Sequence, residues 1–166
     1  GAAAFGANPG FIDACANLLL ADDAREVAVR LRANVMLFFK GAGVTGHPVF
    51  AREEFARNLS HPEPQVRSYA ACLIGWQGPK AADFWPNLME HLQDSDPEVQ
   101  KVFIWAVAEL RCHIGETAEE LVRVFSLVGE RPALPTEQIA EVQRAIIRAV
   151  TPLVLEMVRI VQEAAD

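Results

Sequence analysis

An all-helical fold assembled from stacked helix pairs is what this chain predicts, and three observations carry the prediction. Strand signals are nearly absent: no period-two alternation persists, and no Asn-Gly or Asp-Gly turn marks a hairpin. Helix punctuation recurs instead, with Pro, Gly, Asp and Ser set at short intervals between apolar stretches. Finally, SHPEPQVRSYAACLIGW from Ser60 superposes on QDSDPEVQKVFIWAVAE from Gln93 at an offset of 33 residues.

Each element has its own start and stop. Asn8-Pro9 predicts a helix through about Leu20. Val27, Leu31, Val35 and Phe38 recur at helical intervals and predict a second helix from Arg25 to Lys40, with Gly41 as its left-handed stop. Pro48 opens a third helix ending near Leu59, and Pro64 a fourth ending at Trp76. A fifth covers Ala82 to Leu92. Pro97 opens a sixth to about Cys112, and Gly115 separates it from a seventh, Glu116 to Val128. Pro135 begins an eighth, and Thr151-Pro152 reads as an N-cap followed by proline at N1 of a ninth.

The repeat extends beyond its two clearest copies. Phe55, Leu88 and Leu121 correspond, as do Leu59, Leu92 and Phe125. VQKVFIWAV at Val99 returns as VQRAIIRAV at Val142, and LADDAREV at Leu20 lies over LSHPEPQV at Leu59. One domain, 1–166, is expected, with a leading helix 1–20 and units 21–59, 60–92, 93–134 and 135–166. Its core should contain Val66, Leu73, Ile74, Leu88, Val99, Phe103, Val107 and Leu121, buried between neighbouring units.

Composition narrows the function. A net charge of −7 opposes a surface built to wrap duplex nucleic acid or to lie on an anionic membrane. Cys15, Cys72 and Cys112 are odd in number, far apart and without a C-x-x-C pair, which predicts no disulfide framework and no zinc site. That usage fits a reducing, cytoplasmic setting. The first residues, GAAAFGANPGF, lack the basic and apolar regions of a signal peptide. LVLEMVRIV contains Glu156 and Arg159 and is too short to span a bilayer, so a soluble protein is expected.

LMEHLQDSDPEVQKVFIWAVAEL resembles the HEAT repeat: a leucine-bearing helix, a D-x-D-P-x-V turn, then an Ala/Val-rich helix. The resemblance runs from about Ala21 to the end and is sharpest in the two central units. It implies an armadillo-like α-solenoid, a right-handed α-α superhelix of about four helix pairs plus one N-terminal helix. It also implies a non-catalytic scaffold or adaptor that binds another protein and needs no cofactor. Such repeats place an Asp in the turn and an Arg after the Val. Asp94 and Arg67 match those positions, whereas His61 and Gln100 replace them in the neighbouring units. HEAT-like proteins also include alkylpurine DNA glycosylases and bilin lyases. The first need a basic face for phosphate, which the charge opposes; the second need a tetrapyrrole-sized pocket.

GAGVTG (Gly41, Gly43, Gly46) fits the spacing of a dinucleotide-binding turn. That turn requires a preceding strand and an acidic residue closing a second strand about twenty positions on. The preceding run is helical in period, and the nearest acid, Glu63, sits in the turn HPEP, so an inter-helix loop is expected. No G-x-S-x-G, H-E-x-x-H or Walker pattern occurs, and His47, His61, His91 and His113 share no metal spacing. Cys72 sits in AACLIG, a small-residue run suited to close helix packing. Trp76, Trp85 and Trp105 are expected to pack rather than to act on a base.

Two surfaces are candidates for a partner. In HEAT-like pairs the second helices line the concave face. Stacking the units then places Arg57, Glu90 and Arg123 in one row and Glu54, Asn87 and Glu120 in a second. Asn58 and His91 form a third row that ends in Val124. These rows read as a groove for a helix or an extended segment. The other surface is the C-terminal helix 152–164, whose apolar residues cover nearly its whole circumference. A terminal repeat normally offers a polar outer face, so this one is expected to be covered by a partner, a second copy or further repeats.

Overall fold

The computed structural model describes residues 9–20, 25–42, 44 and 47–165. Asn8, the stretch 21–24 and Gly43, Thr45 and Gly46 of the glycine loop lie outside the described residues. The described residues form helices joined by short turns, with no strand among them. Seven α-helices are present: α1 Pro9–Leu20, α2 Glu26–Ala42, α3 Pro64–Gly75, α4 Trp85–Glu90, α5 Pro97–Glu109, α6 Ile114–Gly129 and α7 Thr136–Glu163. Pro48–Ala51, Glu53–Ser60 and Gly78–Phe84 form 3-10 segments.

The turns that open α3 and α5 show why the repeat folds as it does. Pro64 and Pro97 stand in the first helical turn, where a missing N–H costs nothing. Asp96, extended at φ −89° and ψ 118°, caps α5 by accepting from the N–H groups of Glu98 (2.9 Å) and Val99 (3.2 Å). Helix α2 then packs on α3, α3 on α5, and α5 on α7, giving one row of helices. The segment Glu53–Ser60 packs on α3, α4 on α5, and α6 on α7, giving a second. Equivalent residues are buried alike: Val66, Val99 and Val142 in the first row, and Phe55, Leu88 and Leu121 in the second. All eight residues expected in the core are there.

Five expectations need correction. The 39-residue register pairs Val27 with buried Val66, yet Val27 is 80% exposed. Helix α2 turns Arg32, Val35, Met36 and Phe39 inward instead, a set that also has helical spacing. This rotation seats Phe39 edge-on to Phe50, with ring centroids 5.6 Å apart, and Phe50 edge-on to Phe55 at 5.3 Å. Gly41 is not left-handed; the helix runs through Ala42, and Val44 N–H closes back on the Phe39 carbonyl at 3.0 Å.

The third expected helix is two 3-10 segments broken at Arg52, which is extended at φ −86° and ψ 136°. The break lets Phe50 and Phe55 both face the core. Gly115 lies inside α6; Arg111 (φ 49°) and His113 (φ 47°) separate α5 from α6 in the left-handed conformation. The fifth correction concerns the end of the chain. Thr136–Glu163 is one helix with Pro152 inside it, not two, so the last unit is a single long helix. Thr151 caps nothing; its hydroxyl donates to the Ile147 carbonyl at 2.7 Å. Burial of Ala149 and Leu153 on either side of the proline offsets the lost backbone hydrogen bond.

Candidate protein-binding surface

The second row of helices turns Phe55, Leu88 and Leu121 into the core, and two positions on, Arg57, Glu90 and Arg123 are exposed. Glu54, Asn87 and Glu120 are half-buried beside them. The charges pair along their own elements. Arg52 Nη2 donates to Glu54 at 2.8 Å and holds that carboxyl below its usual pKa. Arg123 Nε donates to Glu120 at 2.7 Å, and the pair raises the arginine's pKa. Glu90 forms no ion pair among the described residues. Ser60 Oγ, at the end of the segment Glu53–Ser60, meets His91 Nε2 just past α4 at 2.9 Å.

In the third row Asn58 and Val124 are buried and His91 is half-buried. Asn58 is buried, and its side-chain amide donates to the Leu19 and Phe55 carbonyls, both at 3.0 Å, fastening α1 to the segment Glu53–Ser60. His91 stacks on Phe103 with centroids 5.2 Å apart, and its Nδ1 donates to the Asn87 carbonyl at 2.8 Å. Val124 is fully buried. These side chains are spent on the fold. Their polarity made them resemble surface groups, because only the backbone geometry shows which carbonyls need a donor.

Behind this face runs a ladder of polar contacts. Arg67 Nε and Nη2 donate to the two Asp94 oxygens at 2.8 and 2.9 Å, and Arg67 Nη1 donates to the His61 and Pro62 carbonyls. Asp94 raises the arginine's pKa, and burial opposes the shift. Where Gln100 replaces arginine, its amide donates to the Leu92 carbonyl at 2.8 Å and its oxygen accepts from Arg131 at 3.3 Å. His61 replaces the aspartate. Its Nδ1 accepts the Glu63 N–H at 3.1 Å, as Asp94 Oδ1 accepts the Asp96 N–H at 2.9 Å.

The end of the chain presents a different chemistry. Val154, Leu155, Val158, Ile160 and Val161 of α7 are exposed, Leu155 by 65% and Val161 by 68%. On the same side, Val122 and Phe125 of α6 join Ile146, Ile147, Val150 and Thr151 around a groove of about 220 Å³. Residues 147, 150, 154, 158 and 161 return to one face of α7 at helical spacing, so the groove and exposed Val154, Val158 and Val161 form a single apolar strip, from which Leu155 and Ile160 point away. Arg144 borders it, exposed and without an ion pair among the described residues. The sequence pattern pointed to 152–164 but missed Val122, Ile147 and Val150; the signal was there in α6, whose apolar positions exceed one stripe.

Chemistry is sparse elsewhere. Among the described residues no group of His, Cys, Asp and Glu could hold a metal ion. Cys15, Cys72 and Cys112 are thiols, and burial pushes the Cys112 pKa up. Trp85 donates to Thr117 Oγ1 at 2.8 Å and its ring lies 4.5 Å from His113. No described helix is long and apolar enough to cross a membrane. The residues before Gly41 are helical, which removes the strand a dinucleotide turn needs. No protein-family model matches the chain, and no curated protein or solved structure matches it.

Proposed function

We propose that the chain is a non-catalytic protein-binding module, a short HEAT-like α-solenoid that receives a partner's amphipathic helix along α6 and α7. The observation that carries this reading is the apolar strip from Val122 and Ile147 to Val161. Exposed Val, Leu and Ile side chains each gain about 1.5–3 kcal/mol on full burial, so a run of them on one face favours a cover. The polar rows Glu54, Arg57, Asn87, Glu90, Glu120 and Arg123 are already paired in part, which leaves the apolar strip as the better-supported surface.

Charge selects the occupant. Arg144 calls for an acidic residue beside the partner's apolar face. Fluorescence anisotropy with two labelled amphipathic peptides tests the reading, one with an apolar seam flanked by Glu and the other by Lys. The Glu-flanked peptide binds saturably, the Lys-flanked one about tenfold or more weaker, and Val154→Asp with Val158→Asp abolishes binding. Equal binding of both peptides, or binding indifferent to the two substitutions, contradicts the proposal. Light scattering that shows a stable dimer assigns the strip to a second copy instead.

A further inference from the structure

A second cavity opens on the other side of α7, toward α5 rather than α6. It is a cleft of about 350 Å³, within the range of small-molecule sites. Its existence follows from the sequence. Ala108 of α5 faces Ala145, Ala149 and Pro152 of α7, and four short side chains leave space where larger ones would fill it. Trp105 forms one wall. Its position is imposed by Gly75, where a Cβ would lie 2.6 Å from the indole Cζ3, so only glycine lets the ring lie this close to α3.

The polar groups at this cleft divide into spent and unspent. Lys101 is engaged by Glu98 at 2.7 Å and Glu141 at 3.0 Å. Glu156 accepts from Arg159 Nε at 3.1 Å. Among the described residues Arg111, Arg148 and Glu109 have no ion pair and the Trp105 indole N–H has no acceptor; Arg159 first, and the Arg111 charge after it, hold the Glu156 carboxyl below its usual pKa. Arg111 is held at the rim in a left-handed conformation, φ 49°, that residues with side chains rarely adopt. Arg111 and Arg148 therefore line an apolar slot walled by Trp105, in a chain of net charge −7.

We propose that this cleft binds a small organic carboxylate with an apolar body, its carboxylate held by Arg111 and Arg148 and its body against Trp105, Ile114 and Leu153. The site is separate from the helix-binding strip, and its ligand chemistry does not depend on that reading. Guanidinium suits a carboxylate because its N–H groups donate two parallel bonds to the two oxygens. The ring of Trp105 offers an apolar face of the matching width.

Two-dimensional 15N NMR of the full chain tests this through the indole N–H signals of Trp76, Trp85 and Trp105, the last assigned with Trp105→Phe. Titration with 2-naphthoate shifts the Trp105 signal saturably and leaves the other two in place. The variant Arg111→Gln/Arg148→Gln, altered only at exposed positions, weakens binding about tenfold or more while its remaining spectrum stays native. Inorganic phosphate and 2-naphthylmethylamine shift the Trp105 signal little. No shift at millimolar naphthoate overturns the proposal. Equal response to phosphate reduces the site to a surface anion patch, and equal response to the amine to an apolar slot; either result also overturns it.

Discussion

Arg67 of α3 grips Asp94, in the turn before α5, through two parallel hydrogen bonds of 2.8 and 2.9 Å, with 12% and 6% of the side chains exposed. The pair joins consecutive units, and its loss leaves a buried charge without a partner. Arg67→Met is expected to destabilise the protein by about 3–5 kcal/mol. Adding Asp94→Leu is expected to cost far less than the sum of the single changes. Denaturant unfolding of the double-mutant cycle measures this coupling.

His61 occupies the equivalent place one unit earlier, and burial, then the Arg32 charge, lowers its pKa from 6.5. The folded protein therefore resists the proton that the unfolded chain accepts. Stability is complete above about 6.5 and falls as pH drops through that value toward the lowered folded pKa. His61→Asp removes this titration, keeps the bond from the Glu63 N–H, and sets a carboxylate facing Arg32. Urea midpoints measured across this range should slope for the native chain and flatten for the variant.

Close packing between α3 and α5 rests on Gly75. In Gly75→Ala the new Cβ would sit 2.6 Å from the Trp105 ring and 3.0 Å from the Ala106 backbone. Overpacking of this kind costs about 1–3 kcal/mol. Trp105→Leu in the same chain should recover only part of the loss, because the backbone contact remains. Thermal unfolding of the single and double variants checks both statements.

Pro152 gives a test with opposite signs for two readings. Inside a continuous α7 it withholds an N–H from the Arg148 carbonyl, so Pro152→Ala should stabilise the fold by up to about 3 kcal/mol. If Pro152 instead opened a separate helix, the same substitution would be neutral or destabilising. Calorimetry and far-ultraviolet circular dichroism distinguish the two.

Much of this architecture can be read before any coordinates. The 33-residue offset places Val66 with Val99 and Leu88 with Leu121, and all four are buried. Asp94 and Arg67 likewise meet where the repeat pattern puts them. Elsewhere local pattern and tertiary demand disagree. In α2 two apolar stripes compete, and the aromatic cluster of Phe39, Phe50 and Phe55 decides between them. Thr151-Pro152 carries every mark of a helix start, yet burial on both sides of it keeps the helix intact. Asn58 and His91 have the polarity of surface groups but satisfy backbone carbonyls inside the fold. The cleft beside Trp105 arises from alanines that carry no signal alone and form a void only when α5 meets α7.

The central claim is that a partner's helix lies along α6 and α7 rather than across the polar rows. Hydrogen–deuterium exchange with and without the Glu-flanked amphipathic peptide tests it most directly. Slowed exchange is expected only at residues 118–130 and 139–163, with 53–60 and 85–91 unchanged. Slowed exchange at 53–60 and 85–91 that spares 147–161, or no change anywhere at saturating peptide, would contradict it.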